Sequence, residues 1–150
     1  MQKLTSGERE YRGLVHVARQ LEFFKSLTGA QFETLLAHIQ LYAFDSGETL
    51  FRDGDPPNAF YILHEGTVRI EIGRRFFGLL KRTIRLGPGA MFGEIALLEK
   101  RPHKGTAVAI APLKVFVMLQ DDFNKLLKLD VDFAERIRFL ASQRKFERTT

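Results

Sequence analysis

After residue 40 the apolar residues change period, and that change restricts the chain to one broad class of fold. Short runs rich in branched and aromatic residues are cut by turn signals. LYAF precedes Asp45-Ser46-Gly47, ETLF precedes RDGDPPN, and AFYIL precedes His64-Glu65-Gly66. TVRIEI then runs to Gly73 and LLKRTIRL to Gly87-Pro88-Gly89, and TAVAI and LKVFVML follow, broken at Ala111-Pro112. Turns at intervals of about eight to twelve residues suit an antiparallel sandwich or barrel rather than βαβ units.

The flanks are helical. Tyr11, Leu14, Val15, Ala18 and Leu21 fall on one stripe at helical spacing. Thr28 with Gln31 forms a capping box ahead of Phe32, Leu35, Leu36 and Ile39. Two short helices should therefore meet at a corner running from Lys25 to Gly29. At the other end Asp121 or Asp122 is placed to cap FNKLLKL, and Asp132 with Glu135 resembles a second capping box. Phe133, Ile137 and Leu140 then share a face. The expected fold is α+β, mainly β: an antiparallel, jelly-roll-like β-roll of about eight strands, flanked by N-terminal and C-terminal helices. Helices are expected over residues 8–40 and 122–147 and the roll over 41–119, in one domain covering 1–150.

Composition narrows the function. Hydrophobic residues make up 45% of 150, with 14 phenylalanines, enough for one packed core. No apolar run approaches the ~20 residues that span a bilayer, and MQKLTSGERE has no signal-peptide core. A cytoplasmic location is expected. The chain has no cysteine, which removes disulfide and thiol chemistry. A net charge of +5 favours anionic partners. The Lys and Arg residues of 74–85 and 136–148 read better as solvated basic faces than as a nucleic-acid surface. Phe76 and Phe77 sit between basic pairs near a turn, where they can fold back on the roll or meet a second copy or a membrane surface. The histidines at 16, 38, 64 and 103 have no metal-ligand spacing, and no nucleophile stands with a base. Neither a metal site nor an enzyme is expected.

The chemistry concentrates in GAMFGEIALLEKRPHKGTAVA, residues 89–109. Gly89 and Gly93 permit positive φ and close approach of backbone amides to a ligand. The helix beginning at Glu94 is very short, so packing of Ile95, Leu97 and Leu98 must hold it. Free N–H groups at a helix start attract anions, and Glu94 can accept bonds from paired hydroxyls such as those of a ribose. A basic residue beyond Pro102 would complete a site for a sugar phosphate. The same residues also suit a plain strand-to-helix corner, with Glu94 favoured by the helix dipole alone.

FGEIALLEKRP closely resembles the phosphate-binding cassette of the cyclic nucleotide-binding domain family, and GETLFRDGDPPNAFYILHEGTVRI looks like that family's first strands. The resemblance covers roughly residues 20–140. It implies a β-roll whose cassette grips the cyclic phosphate and ribose of cAMP or cGMP, with C-terminal helices that close over the base and relay occupancy to a partner domain. By position, Glu94 would take the ribose 2′-hydroxyl, and backbone N–H groups around Gly93, Ile95 and Ala96 would face the sugar phosphate. Phe92 would pack beneath the cassette, Gly54 and Val68 would line the pocket wall, and Phe139 or Phe146 could cap the base. No cofactor is implied besides the nucleotide.

One stretch departs from the family pattern, which after the proline usually has arginine, two small residues and Thr or Ser. Here Pro102 is followed by His103, Lys104, Gly105 and Thr106. Histidine lacks the planar fork and permanent charge of arginine. A charge-assisted hydrogen bond contributes ~1.5–3 kcal/mol, so its loss weakens binding roughly ten- to hundredfold. Three outcomes follow: Lys104 supplies the charge, His103 supplies it when protonated or hydrogen-bonded, or the pocket binds no nucleotide or a different ligand. Adjacent side chains of an extended segment face opposite ways, so only one of His103 and Lys104 should reach the phosphate unless the backbone shifts. Arg101 is expected to face water. The sensor reading competes with a degenerate roll that serves as a protein-interaction or oligomerisation module.

Overall fold

The computed structural model describes residues 1–73 and 82–149, with side chains described as far as residue 143. The expectations for Phe76, Phe77 and the Phe146 side chain lie outside the described residues.

Strand β1 (Gln2–Lys3) precedes three helices, α1 (Glu8–Ala18), α2 (Glu22–Lys25) and α3 (Gly29–Ala37). Strands β2 (Gln40–Phe44), β3 (Thr49–Phe51), β4 (Ala59–Glu65), β5 (Val68–Ile72), β6 (Arg82–Leu86) and β7 (Met91–Phe92) follow. Helix α4 (Glu94–Glu99) separates β7 from β8 (Gly105–Ala109) and β9 (Leu113–Leu119), and α5 (Gln120–Leu129) and α6 (Val131–Thr149) complete the order. The strands form a five-stranded sheet, β1-β2-β9-β4-β7, and a four-stranded sheet, β3-β8-β5-β6. Every pairing is antiparallel.

The runs AFYIL and VFVML are apolar without a break because their strands are covered on both faces. In β4, Ala59, Tyr61 and Leu63 point into the roll, whereas Phe60 and Ile62 point into a core shared with the helices. In β9, Val115 and Val117 point inward and Phe116 and Met118 outward, as the two-residue period of a strand requires. The helical core is largely aromatic. Phe23 lies 5.0 Å from Phe24 and 5.2 Å from Phe60, and Phe123 lies 5.9 Å from Phe133 between ring centroids.

The α+β, mainly β roll with flanking helices is as expected, with nine strands among the described residues against the expected number of about eight. β1 and β7 have two residues each, too few to leave a periodic pattern. The N-terminal corner holds a further single turn, α2, so the helices there number three and not two. The Thr28–Gln31 capping box forms, with Gln31 N donating to Thr28 Oγ1 at 3.2 Å and Thr28 N to Gln31 Oε1 at 3.0 Å. The C-terminal caps differ from expectation. Asp121 and Asp122 lie inside the first turn of α5, whose cap position is Leu119. Asp130, not Asp132, holds the start of α6, accepting from Phe133 N at 3.0 Å. Asp132 is drawn away by stronger partners: Arg136 Nε and Gln31 Nε2 both donate to it at 2.7 Å. The Arg136 bond, helped by Gln31, holds the Asp132 carboxyl below its usual range. Arg136 also donates to the Ser26 carbonyl at 2.6 Å, so the first turns of α6 are tied to the α2–α3 corner. Among the described residues no helix is long and apolar enough to cross a membrane.

Phe60 is 0% exposed at the junction of sheet and helices, and Phe139 is 63% exposed. Phe60→Ala should therefore destabilise the chain by ~3–5 kcal/mol, and Phe139→Ala by no more than about 0.5 kcal/mol. Urea unfolding of the two variants checks this, and equal midpoints would contradict the two-faced burial of β4.

Candidate functional site

The β7–α4 corner, the ends of β5 and β6 and the segment entering β8 enclose a cleft of about 410 Å³, within the range of small-molecule sites. Gly93 makes the corner. It has φ +81°, and a Cβ there would stand 3.1 Å from both the Ala59 carbonyl oxygen and the Tyr61 ring. Conformation and space both demand glycine. Glu94, 7% exposed, begins α4 and lines the cleft with Ile95 and Ala96. Phe92 underlies the corner, stacked on Tyr61 at 5.1 Å and 14°.

His103 belongs to the floor of the cleft. Its ring is 4% exposed and stacks on Phe51 at 3.8 Å and 13°. Its backbone is held on both sides: its N–H donates to the Asp55 carbonyl at 2.9 Å and its carbonyl accepts from Gly54 N at 2.8 Å. His103 Nε2 lies 3.1 Å from Asn58 Oδ1, an acceptor, so the ring's proton is assigned to Nε2. Asn58 Nδ2 then donates to the Tyr61 hydroxyl at 3.1 Å. Burial pushes the His103 pKa down, opposed by Asp55 and assisted by Arg101. Burial likewise pushes Tyr61 up to about 12 against the Asn58 bond. A neutral imidazole, an amide and a neutral phenol thus form one chain beneath the corner.

The cations stand elsewhere. Lys104 is exposed and lines the cleft beside His103, because the backbone bends at 104 before β8 begins. That bend is the local shift needed for both neighbours to meet the same space. Gly105 also lines the cleft and lets β8 approach β5: a Cβ would come within 2.9 Å of the Glu71 carbonyl oxygen and 3.2 Å of Ile70 and Ile72. Arg101 does not face water as expected. It is partly buried, lines the cleft and donates from Nε to Glu99. Arg82, at the start of β6, is a further lining cation that sequence reasoning missed.

The remaining expected residues serve the frame. Thr106 Oγ1 accepts from Asp53 N at 3.0 Å. Gly54 occupies a turn at φ +90°, and Val68 is fully buried inside the roll. None of these three lines the cleft, and neither does the exposed Phe139. Phe51 and Asn58, which carry His103, were also missed. Their only sequence signal is that an aromatic and an amide flank the DGDPP turn.

A sequence model described as the cyclic nucleotide-binding domain matches residues 42–130. The chain is 33% identical over 128 residues to a candidate potassium channel protein of Rhodopseudomonas palustris, covering 85% of this chain and 30% of that one. It is 29% identical over 106 residues to the cyclic AMP receptor protein of Thermus thermophilus, covering 70% of this chain and 48% of the relative. It thus spans less than half the length of either curated relative. Among solved structures, the regulatory domain of Toxoplasma gondii PKA with cAMP superimposes with a TM-score of 0.71 at 26% identity, over 81% of this chain and 46% of that one.

The His103 environment sets a pH dependence of stability. The folded chain holds this group below its ordinary 6.5, so the unfolded chain takes up the proton more readily. Stability from the neutral ring is complete above about pH 6.5 and declines as pH falls toward the lowered value. Thermal melts between pH 8 and pH 5 should show this decline, and His103→Gln should be less stable at pH 8 yet fall less steeply. Equal slopes would mean that His103 titrates as it does in the unfolded chain.

Proposed function

The chain belongs to the cyclic nucleotide-binding domain family, and we propose that it is a regulatory module that binds cAMP or cGMP in the cleft at the β7–α4 corner. The observation that carries this reading is the placement of a buried carboxylate, Glu94, beside the Gly93 corner in an open cleft that Lys104 also lines. Glu94 accepts the ribose hydroxyls. Lys104 and backbone N–H groups meet the cyclic phosphate. His103 contributes shape: its neutral ring, bonded to Asn58 and stacked on Phe51, holds the cleft floor.

Output runs through the C-terminal helices. Leu97 and Leu98 of α4 meet Phe123 of α5 and Ile137 of α6 around a common apolar space. A displacement of the cassette helix therefore presses directly on α6. From there the Asp132–Gln31 and Arg136–Ser26 bonds carry it to the α2–α3 corner. The effector acted on is a separate domain or protein, as in a channel or receptor chain longer than this one. The module regulates and does not catalyse.

Calorimetric titration with cAMP and with cGMP at pH 6 and pH 8 tests the reading. Because the His103 ring is buried, stacked on Phe51 and bonded to Asn58, it is not the phosphate contact, and saturable binding should appear at both values without a gain at pH 6. Glu94→Ala should abolish it. No heat at either pH with millimolar ligand, together with a Glu94→Ala variant that only melts earlier, would favour the interaction-module reading.

A further inference from the structure

We propose that Arg82, on the strand opposite the cassette, supplies the guanidinium that pairs with the ligand phosphate, in place of the arginine that position 103 lacks. The inference rests on the reading of the cleft as a cyclic-nucleotide site. Its structural basis is a row across the four-stranded sheet. Arg82 of β6 pairs with Ile72 of β5, and Ile72 pairs with Gly105 of β8. Residues paired directly across strands share a face, and Arg82, Ile72 and Gly105 all line the cleft. Strand spacing puts the Arg82 and Gly105 backbones ~10 Å apart. Gly105 adds no side chain to that row, so only Ile72 stands between Arg82 and the residue next to Lys104. The two cations therefore bracket the cleft from its opposite sides.

Among the described residues, the other basic groups lining the cleft are committed. His103 is stacked, hydrogen-bonded to Asn58 and buried. Arg101 donates to Glu99 and, from Nη1, to the Pro102 carbonyl at 3.3 Å. Arg82 and Lys104 are the exposed pair among the described lining residues. Arginine is the better partner for a phosphate, since its planar fork can donate two parallel bonds, whereas lysine acts as a point charge. A charge moved from the cassette to β6 grips the same phosphate from the other wall. It also leaves position 103 free for a neutral ring.

The test uses the whole chain and two probes, cAMP and adenosine, which lacks the phosphate. Arg82→Ala should weaken cAMP binding about ten- to hundredfold and leave adenosine binding unchanged. Arg82→Lys should recover part of the loss. Arg82 is exposed on the last strand of its sheet, and unchanged melting temperatures will show that both variants fold. If Arg82→Ala binds cAMP as tightly as the wild type, the proposal is overturned while the nucleotide site stands. Equal losses for cAMP and adenosine also overturn it, because the residue would then act on the cleft as a whole. If the wild type binds neither cAMP nor cGMP, the functional reading fails first and this inference fails with it.

Discussion

Phe60 and Tyr61 are neighbours in β4, yet their rings belong to different cores, and the rest of the molecule is arranged around that division. A strand buried on both faces needs a layer on each side. The second sheet supplies the inner layer and the helices supply the outer one. Tyr61 on the inner face then meets Phe92 and, through Asn58, His103. On the outer face Phe60 meets Phe23, Phe24 and Phe123. The corner that forms the cleft is thus built against one side of β4, and the helices that could report on it are packed against the other.

The chain beneath the cleft shows how a charged position can become a structural one. An unpaired imidazolium inside the roll would be disfavoured by desolvation. A neutral ring with an amide partner and an aromatic stack satisfies its polar atom and fills space. Asn58 is shared by His103 and Tyr61, so each of the three residues fixes the hydrogen-bonding role of the next. Such a chain is stable only when every member is satisfied, which makes position 103 difficult to replace by arginine alone.

Much of this was legible in the residues because it is local. The Thr28–Gln31 box is read from two positions three apart, and the roll from turn signals at regular intervals. The Gly93-Glu94 corner is likewise contiguous. What was not legible depends on partners remote in sequence. The Phe51 ring under His103, from β3, and the Asn58 amide beside it, from the loop after β3, come from about fifty residues earlier. Arg82 joins the cleft only through the register of β6 on β5, which single-strand periodicity does not specify. Asp132 looked like a cap because Glu135 stands three residues on, but Gln31 and Arg136 compete for it more strongly. Arg101 is the exception to remoteness: its partner Glu99 is two residues away, and the turn after α4 folds the guanidinium onto that carboxylate instead of leaving it to water.

The position of β9 has a consequence for how the chain is made. It is the last strand in sequence, yet it lies at the centre of its sheet, between β2 and β4. Gln40 pairs with Val117, and Ala59 with Leu119. As the polypeptide leaves the ribosome, β2 and β4 must therefore wait, with apolar side chains on both faces, until residues 113–119 have emerged. The entropy of closing so long a loop grows only slowly with its length, but contacts so distant in sequence form late. Until then the edges of β2 and β4 that receive β9 stay unpaired. Closure of the roll therefore waits for residues 113–119.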